Sequence, residues 1–122
     1  MARILIIDDD EQSLTLFEEI LLREGHEVVT AHNGIEAEHR FRDGGADVVV
    51  TDILMPDRDG IETIIDQRRQ SPQVKIIAVS GGGRLGPTGY LETAALLGAC
   101  RTFTKPVDRH DLVAAVGELI AA

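Results

Sequence analysis

The sequence predicts an α/β fold, a doubly wound five-stranded parallel sheet of order 2-1-3-4-5 with helices on both faces. Short aliphatic runs alternate with stretches of helical period along 122 residues, giving the pattern βαβαβαβαβα. The runs "ADVVVTD" and "KIIAVSG" are continuously apolar rather than alternating, as strands covered on both faces must be. Such units close right-handed. A chain of this length buries one core but not two, and it shows no repeat, linker or low-complexity stretch. Residues 1–122 are therefore read as a single domain.

Each element has a local reason. Residues 3–7 hold the aliphatic run "ILII". In 12–24, Leu14, Phe17 and Leu21 recur at i, i+3 and i+7, and Gly25 suits a helix C-terminus. Strand 27–31 precedes a helix over 33–43, with Ile35, Ala37 and Phe41 expected on one side and Gly44 at its stop. Strand 47–51 leads to a helix over 60–70 that groups Ile61, Ile64 and Ile65 before Pro72. Strand 74–79 is followed by a weaker helix, 88–97, that ends at Gly98. After strand 101–104, Asp108 caps a helix over 109–121 expected to bury Leu112, Val116, Leu119 and Ile120.

The formal net charge of -9 argues against nucleic acid and against anionic membrane surfaces, both of which need clustered Lys and Arg. A single cysteine, Cys100, excludes an internal disulfide and suits a reducing compartment. No apolar run approaches the ~18 residues of a membrane span, and no signal-peptide pattern precedes the first strand, so a cytoplasmic location is expected.

The stretch "ILIIDDDEQ" drives a buried strand into four consecutive acids, Asp8 to Glu11. In a doubly wound sheet, ligands bind beyond the carboxyl ends of the strands, where strands 1 and 3 are neighbours. Asp8 and Asp9 end strand 1, and Asp52 ends strand 3. At ~4 Å and an effective dielectric near 20, each carboxylate pair repels by roughly 4 kcal/mol, so a cation is required. Carboxylates with water and a backbone carbonyl suit Mg²⁺, which leaves room for a phosphate oxygen. Ser80 ends strand 4 and Lys105 ends strand 5. Together these make a phosphoryl-transfer site: a carboxylate such as Asp52 can act as the nucleophile, and Mg²⁺, Lys105 and the Ser80 hydroxyl would meet charge on the equatorial oxygens.

"ILIIDDDE", "DILMPDRDG", "AVSG" and "TFTKP", in that order and at the expected strand ends, resemble the receiver domain of two-component response regulators. The resemblance covers essentially the whole chain and implies a flavodoxin-like, receiver-like fold. It implies that Asp52 is the phosphoacceptor and that Asp8 and Asp9 hold Mg²⁺, with Asp9 the direct ligand. The Leu54 backbone carbonyl would be a further ligand, Ser80 the hydroxyl that swings toward the phosphoryl group, and Lys105 the pocket lysine. Gly81 matches a position where a small side chain keeps the phosphoryl group accessible, and Lys105-Pro106 matches a peptide bond that is cis in the family.

The chain departs from the family at three places. Thr102 stands where an aromatic is usual, and strand alternation points the nearby Phe103 to the opposite face. The connection after Ser80, "SGGGRLGPTGY", is longer and glycine-rich, so residues 81–89 are expected to order on phosphorylation. Leu54 cannot orient a water, so a persistent phosphoryl group is expected.

The resemblance implies a signalling switch that catalyses only its own phosphorylation and dephosphorylation. Its donor would be a histidine kinase or histidine phosphotransfer protein, docking on the first helix around Leu14 and Thr15. With no further module in the chain, output is expected through a downstream protein at residues 88–121, and homodimerisation stays open. Two alternatives remain. A small Mg²⁺-dependent phosphohydrolase would need a second acid where Leu54 stands, and an unphosphorylated interaction module would leave the acids with Ser80 and Lys105 unexplained.

Other residues have plainer readings. Asp10 and Glu11 suit a helix N-terminus. Asp57, Asp59 and Gly60 suit a turn and cap, and Cys100 is a small residue near strand 5. His26, His32, His39 and His110 lack metal spacing and are expected on the surface, away from the acids. "GGGRLG" lacks the Lys-Ser/Thr of a P-loop, and carboxylates after strand 1 disfavour a flavin phosphate.

Overall fold

A computed structural model describes residues 2–53, 60–80 and 98–121, with side chains throughout except at 60–64. Five strands, β1 (Arg3–Ile7), β2 (Glu27–Ala31), β3 (Val48–Asp52), β4 (Lys75–Ser80) and β5 (Arg101–Thr104), form one parallel sheet in the order β2-β1-β3-β4-β5. Four described helices accompany them: α1 (Glu11–Arg23), α2 (Gly34–Gly44), α3 (Gly60–Gln70) and α4 (Arg109–Ala121). The predicted helix over 88–97 lies outside the described residues.

Alternation along the strands builds two cores. Ile4, Ile6, Val48, Val50, Ile77 and Val79 face α1 and α4, meeting Leu14, Phe17, Leu21, Leu112 and Val116. Leu5, Ile7, Val49, Ile76 and Ala78 face the other way, against Ala37 and Phe41 of α2. Both faces are covered, which explains why "VVVTD" could be apolar without a break. Among the described residues no helix is long and apolar enough to cross a membrane.

Several expectations change. Strands β3 and β4 each run one residue later than the ranges predicted, and they end, as expected, on Asp52 and Ser80. Ile35 is 54% exposed: it lies two residues, about 200°, from Ala37 on α2 and cannot share its face. Ile120 is 39% exposed, and Ala115 takes its place in the core with Leu112, Val116 and Leu119. Leu14, expected on the donor-docking face, is buried, whereas Thr15 and Leu16 face solvent. In α3, Ile61 and Ile64 fall outside the described side chains. Ile65 is half-buried, and Gln67 is buried with neither amide atom hydrogen-bonded. Helix α2 includes Gly44, expected as its stop, and is capped by the next residue: Gly45, at φ +67°, donates its N–H to Phe41 O at 2.7 Å.

A guanidinium closes the amino side of the sheet. Arg68 Nη1 donates to Pro72 O (2.9 Å) and Val74 O (2.7 Å), and Nη2 donates to Gly98 O. Gly98 sits at φ +116°, a backbone that favours glycine, and a Cβ there would lie 3.0 Å from Arg68 Nε, so the guanidinium would have to give way.

Candidate functional site

The register lines up the strand ends. Ile7 pairs with Ala31 and Thr51, Asp52 with Val79, and Ser80 with Thr104. The next residues after β1 and β5 are therefore Asp8 and, after Thr104, Lys105, on the same edge as Asp52. Backbone bonds continue the ladder past the strands and fix those positions: Asp8 N–H to Ala31 O (3.1 Å), Ile53 N–H to Val79 O (3.1 Å) and Lys105 N–H to Ser80 O (2.9 Å).

Oxygens of Asp8, Asp9 and Asp52 lie within 4.8 Å of one another. Asp8 and Asp52 are 1% and 7% exposed, and Asp9 is open to solvent. Lys105 Nζ donates to Asp8 Oδ2 at 2.8 Å and to Asp52 Oδ2 at 3.2 Å. Partial burial lowers the lysine pKa, but the Asp8 hydrogen bond and the Asp52 charge outweigh it and hold it above the ordinary value. Ser80 is fully buried at the end of β4. The structure thus brings Asp8, Asp9, Asp52 and Lys105 together, with Ser80 on the adjoining strand end. Leu54 and Gly81 lie outside the described residues, as does the 81–89 connection. The Lys105-Pro106 peptide bond is cis.

Asp10 belongs to the helix rather than the pocket. It caps α1, accepting from Ser13 Oγ (2.9 Å) and Gln12 N–H (3.2 Å), and these bonds hold its carboxyl below the usual range. Its own N–H donates to Asp8 Oδ1 at 2.9 Å, which fixes the Asp8 carboxylate from the side away from Lys105.

With this geometry in place, residues 4–117 match the family model of the response regulator receiver domain. The chain belongs to that family. A receiver domain is a phosphoryl-accepting signalling switch of two-component systems, not an enzyme that turns over a pool of diffusible substrate, and this receiver is such a switch. It is 30% identical over 120 residues to the chemotaxis protein CheY of Halobacterium salinarum, covering 98% of each chain. It is 35% identical to the DNA-binding transcriptional regulator NtrC of Azospirillum brasilense and 33% to the transcriptional regulatory protein CpxR of Escherichia coli K12. The receiver spans only 23% and 50% of those two proteins. A receiver domain from Clostridium thermocellum superposes with a TM-score of 0.90 at 31% identity, covering 99% of this chain and 95% of that one.

At the position where an aromatic is usual, the receiver exposes Thr102. Phe103 is half-buried and packs on the opposite face, in the core shared by α1 and α4, together with Cys100. One further residue stands at this edge. His32 was expected to stand apart from the acids, but it follows β2 directly and joins Glu11 to Glu36. Two signals point to it: Glu36 stands four residues on, in the first turn after the Asn33 cap, and His32 lies one residue past a strand end.

Proposed function

We propose that Asp52 accepts a phosphoryl group from a histidine kinase or histidine phosphotransfer protein, and that residues 1–122 act as one cytoplasmic receiver unit. The observation that carries this reading is the convergence of Asp8, Asp9 and Asp52 oxygens within 4.8 Å, with Lys105 Nζ bonded to two of them. The oxygens fit Mg²⁺: they are hard donors, and opposed ligands at ~2.1 Å from an ion lie about 4 Å apart. Asp8, Asp9 and Asp52 would hold the ion, with the Leu54 carbonyl as the further ligand that the resemblance implies. When bound, Mg²⁺ supplies positive charge that offsets the acids and the incoming phosphoryl oxygens.

The chain's own residues do the rest. An Asp52 carboxylate oxygen forms the new bond to phosphorus. The donor's phosphorus–nitrogen bond breaks, and its imidazole leaves with the electron pair and takes up a proton. Lys105 bridges Asp8 and Asp52 at rest, so its ammonium is within reach of an oxygen of the group on Asp52. The Ser80 hydroxyl donates to another. Hydrolysis at the same site reverses the switch without a separate enzyme.

The donor would dock in a groove of about 300 Å³ between α1 and the β5–α4 connection, lined by Ser13, Leu16, Phe17, Lys105, Pro106 and Val107. Leu16, 51% exposed, replaces Leu14 as the apolar anchor. Output to a downstream protein would use residues 88–121, where Arg101 and Thr102 are exposed and Arg101 pairs with Glu118 (3.1 Å).

Intact-mass measurement after incubation with Mg²⁺ and acetyl phosphate tests the assignment. A single phosphoryl adduct that is lost in Asp52→Asn and without Mg²⁺ supports it. An adduct that survives Asp52→Asn sinks it.

A further inference from the structure

His32 lies one residue beyond β2, on the edge that carries the acidic pocket. Both of its ring nitrogens face carboxylates. Nε2 meets Glu11 Oε1 on the first residue of α1, and Nδ1 lies 3.0 Å from Glu36 Oε1 in the first turn of α2. That Glu36 oxygen also accepts the His32 backbone N–H at 2.9 Å, and Asn33 caps the same turn through Glu36 N–H (2.8 Å). A carboxylate only accepts, so a ring set between two of them is satisfied only with a proton on each nitrogen. The bonds to Glu36 and then to Glu11 push the His32 pKa above the usual histidine value.

The charged groups around the ring come from three directions. Helix α1 presents Glu11. Helix α2 presents Glu36, with Arg40 one turn on, whose Nε donates to Thr30 O of β2 at 3.3 Å. The β1–α1 turn carries Asp8, Asp9 and Asp10 directly before Glu11, and Asp8 N–H bonds to Ala31 O next to His32. The imidazolium is thus a cation set among acids, and it ties the first turn of α1 to the first turn of α2 across the end of β2. Glu11, at one end of that tie, directly follows the turn that bears Asp8 and Asp9.

We propose that His32, doubly protonated between Glu11 and Glu36, is a positioning residue for phosphoryl acceptance. It holds the Asp8–Asp10 turn in the arrangement Asp52 needs and releases that turn when it loses a proton. This rests on Asp52 being the acceptor. Because binding raises the folded-state affinity for the proton, the clamp is fully present below the ordinary histidine value of about 6.5. It is lost as pH rises through the higher folded value.

Two measurements on the whole chain test this. An NMR pH titration without metal follows the His32 ring and the amides of Asp9, Asp10 and Glu11. The ring midpoint should lie above that of a free histidine, the three amides should shift with the same midpoint, and Glu11→Gln and Glu36→Gln should each lower it. Labelling by acetyl phosphate with Mg²⁺ should be roughly two- to fivefold slower in His32→Gln than in wild type below that midpoint, and equal above it. A ring that titrates like free histidine, loop amides indifferent to it, or a rate deficit unchanged by pH would each overturn the proposal. If wild type takes no label while the amides still follow the ring, the Asp52 assignment fails and the clamp stands.

Discussion

Replacing Lys105 by methionine removes the ammonium that bonds the Asp8 and Asp52 carboxylates and keeps most of the side-chain volume. The gross attractions are large. At 2.8 and 3.2 Å with an effective dielectric near 20, each contact amounts to about 5–6 kcal/mol. Desolvation of the partners offsets much of that, and removing one member of a buried pair costs about 3–5 kcal/mol net. Two features favour the lower end: 21% of the Lys105 side chain is exposed, and Asp8 keeps the Asp10 N–H. Lys105→Met should therefore lose about 3 kcal/mol at neutral pH without metal, or about 12 °C in Tm for a chain of this size. The lysine pKa is raised in the folded state. Its contribution is thus fully present below the ordinary 10.5 and fades only as pH climbs through the folded value, so the deficit should be flat across neutral pH. Added Mg²⁺ meets charges that lysine no longer balances, so it should stabilise the variant more than the wild type, which gains about 1.4 kcal/mol at tenfold excess over Kd. Urea unfolding with EDTA and with Mg²⁺ measures both quantities. A metal-free deficit under about 1 kcal/mol, or an equal Mg²⁺ increment in both proteins, would refute the reasoning.

Three further outcomes are expected. Asp9→Asn takes one charge from the carboxylate group, so its metal-free Tm should rise and its Mg²⁺ increment should vanish; a lower metal-free Tm would contradict the repulsion. Gly98→Ala forces a Cβ onto a left-handed backbone against Arg68, and chemical denaturation should show a loss of about 1–3 kcal/mol with an unchanged slope. Leu16→Asp should slow phosphotransfer from a donor protein and leave acetyl phosphate labelling intact, because Leu16 lines the groove beside Lys105 without entering the pocket. Equal slowing of both reactions would remove the docking role.

The sequence by itself determined the alternation of the described strands and helices and the residue at each carboxyl end. Those features are local: an unbroken apolar run such as "VVV" specifies a strand covered on both sides, and acids, hydroxyl and lysine mark where the runs stop. Tertiary packing decided what depends on rotation and distance. Packing against the sheet chose Ala37 and Phe41 of α2, and Leu112 and Val116 of α4, and so left Ile35 and Ile120 outward, since hydrophobicity alone does not say which side of a helix meets the sheet. Parallel register brought Asp8, Asp52 and Lys105, separated by 44 to 97 positions, within one hydrogen-bond length of a shared ammonium. The same register set His32 against Glu11 as well as Glu36; the Glu36 contact is local, four residues on, but the Glu11 contact is written in no local pattern because that carboxylate comes from another helix.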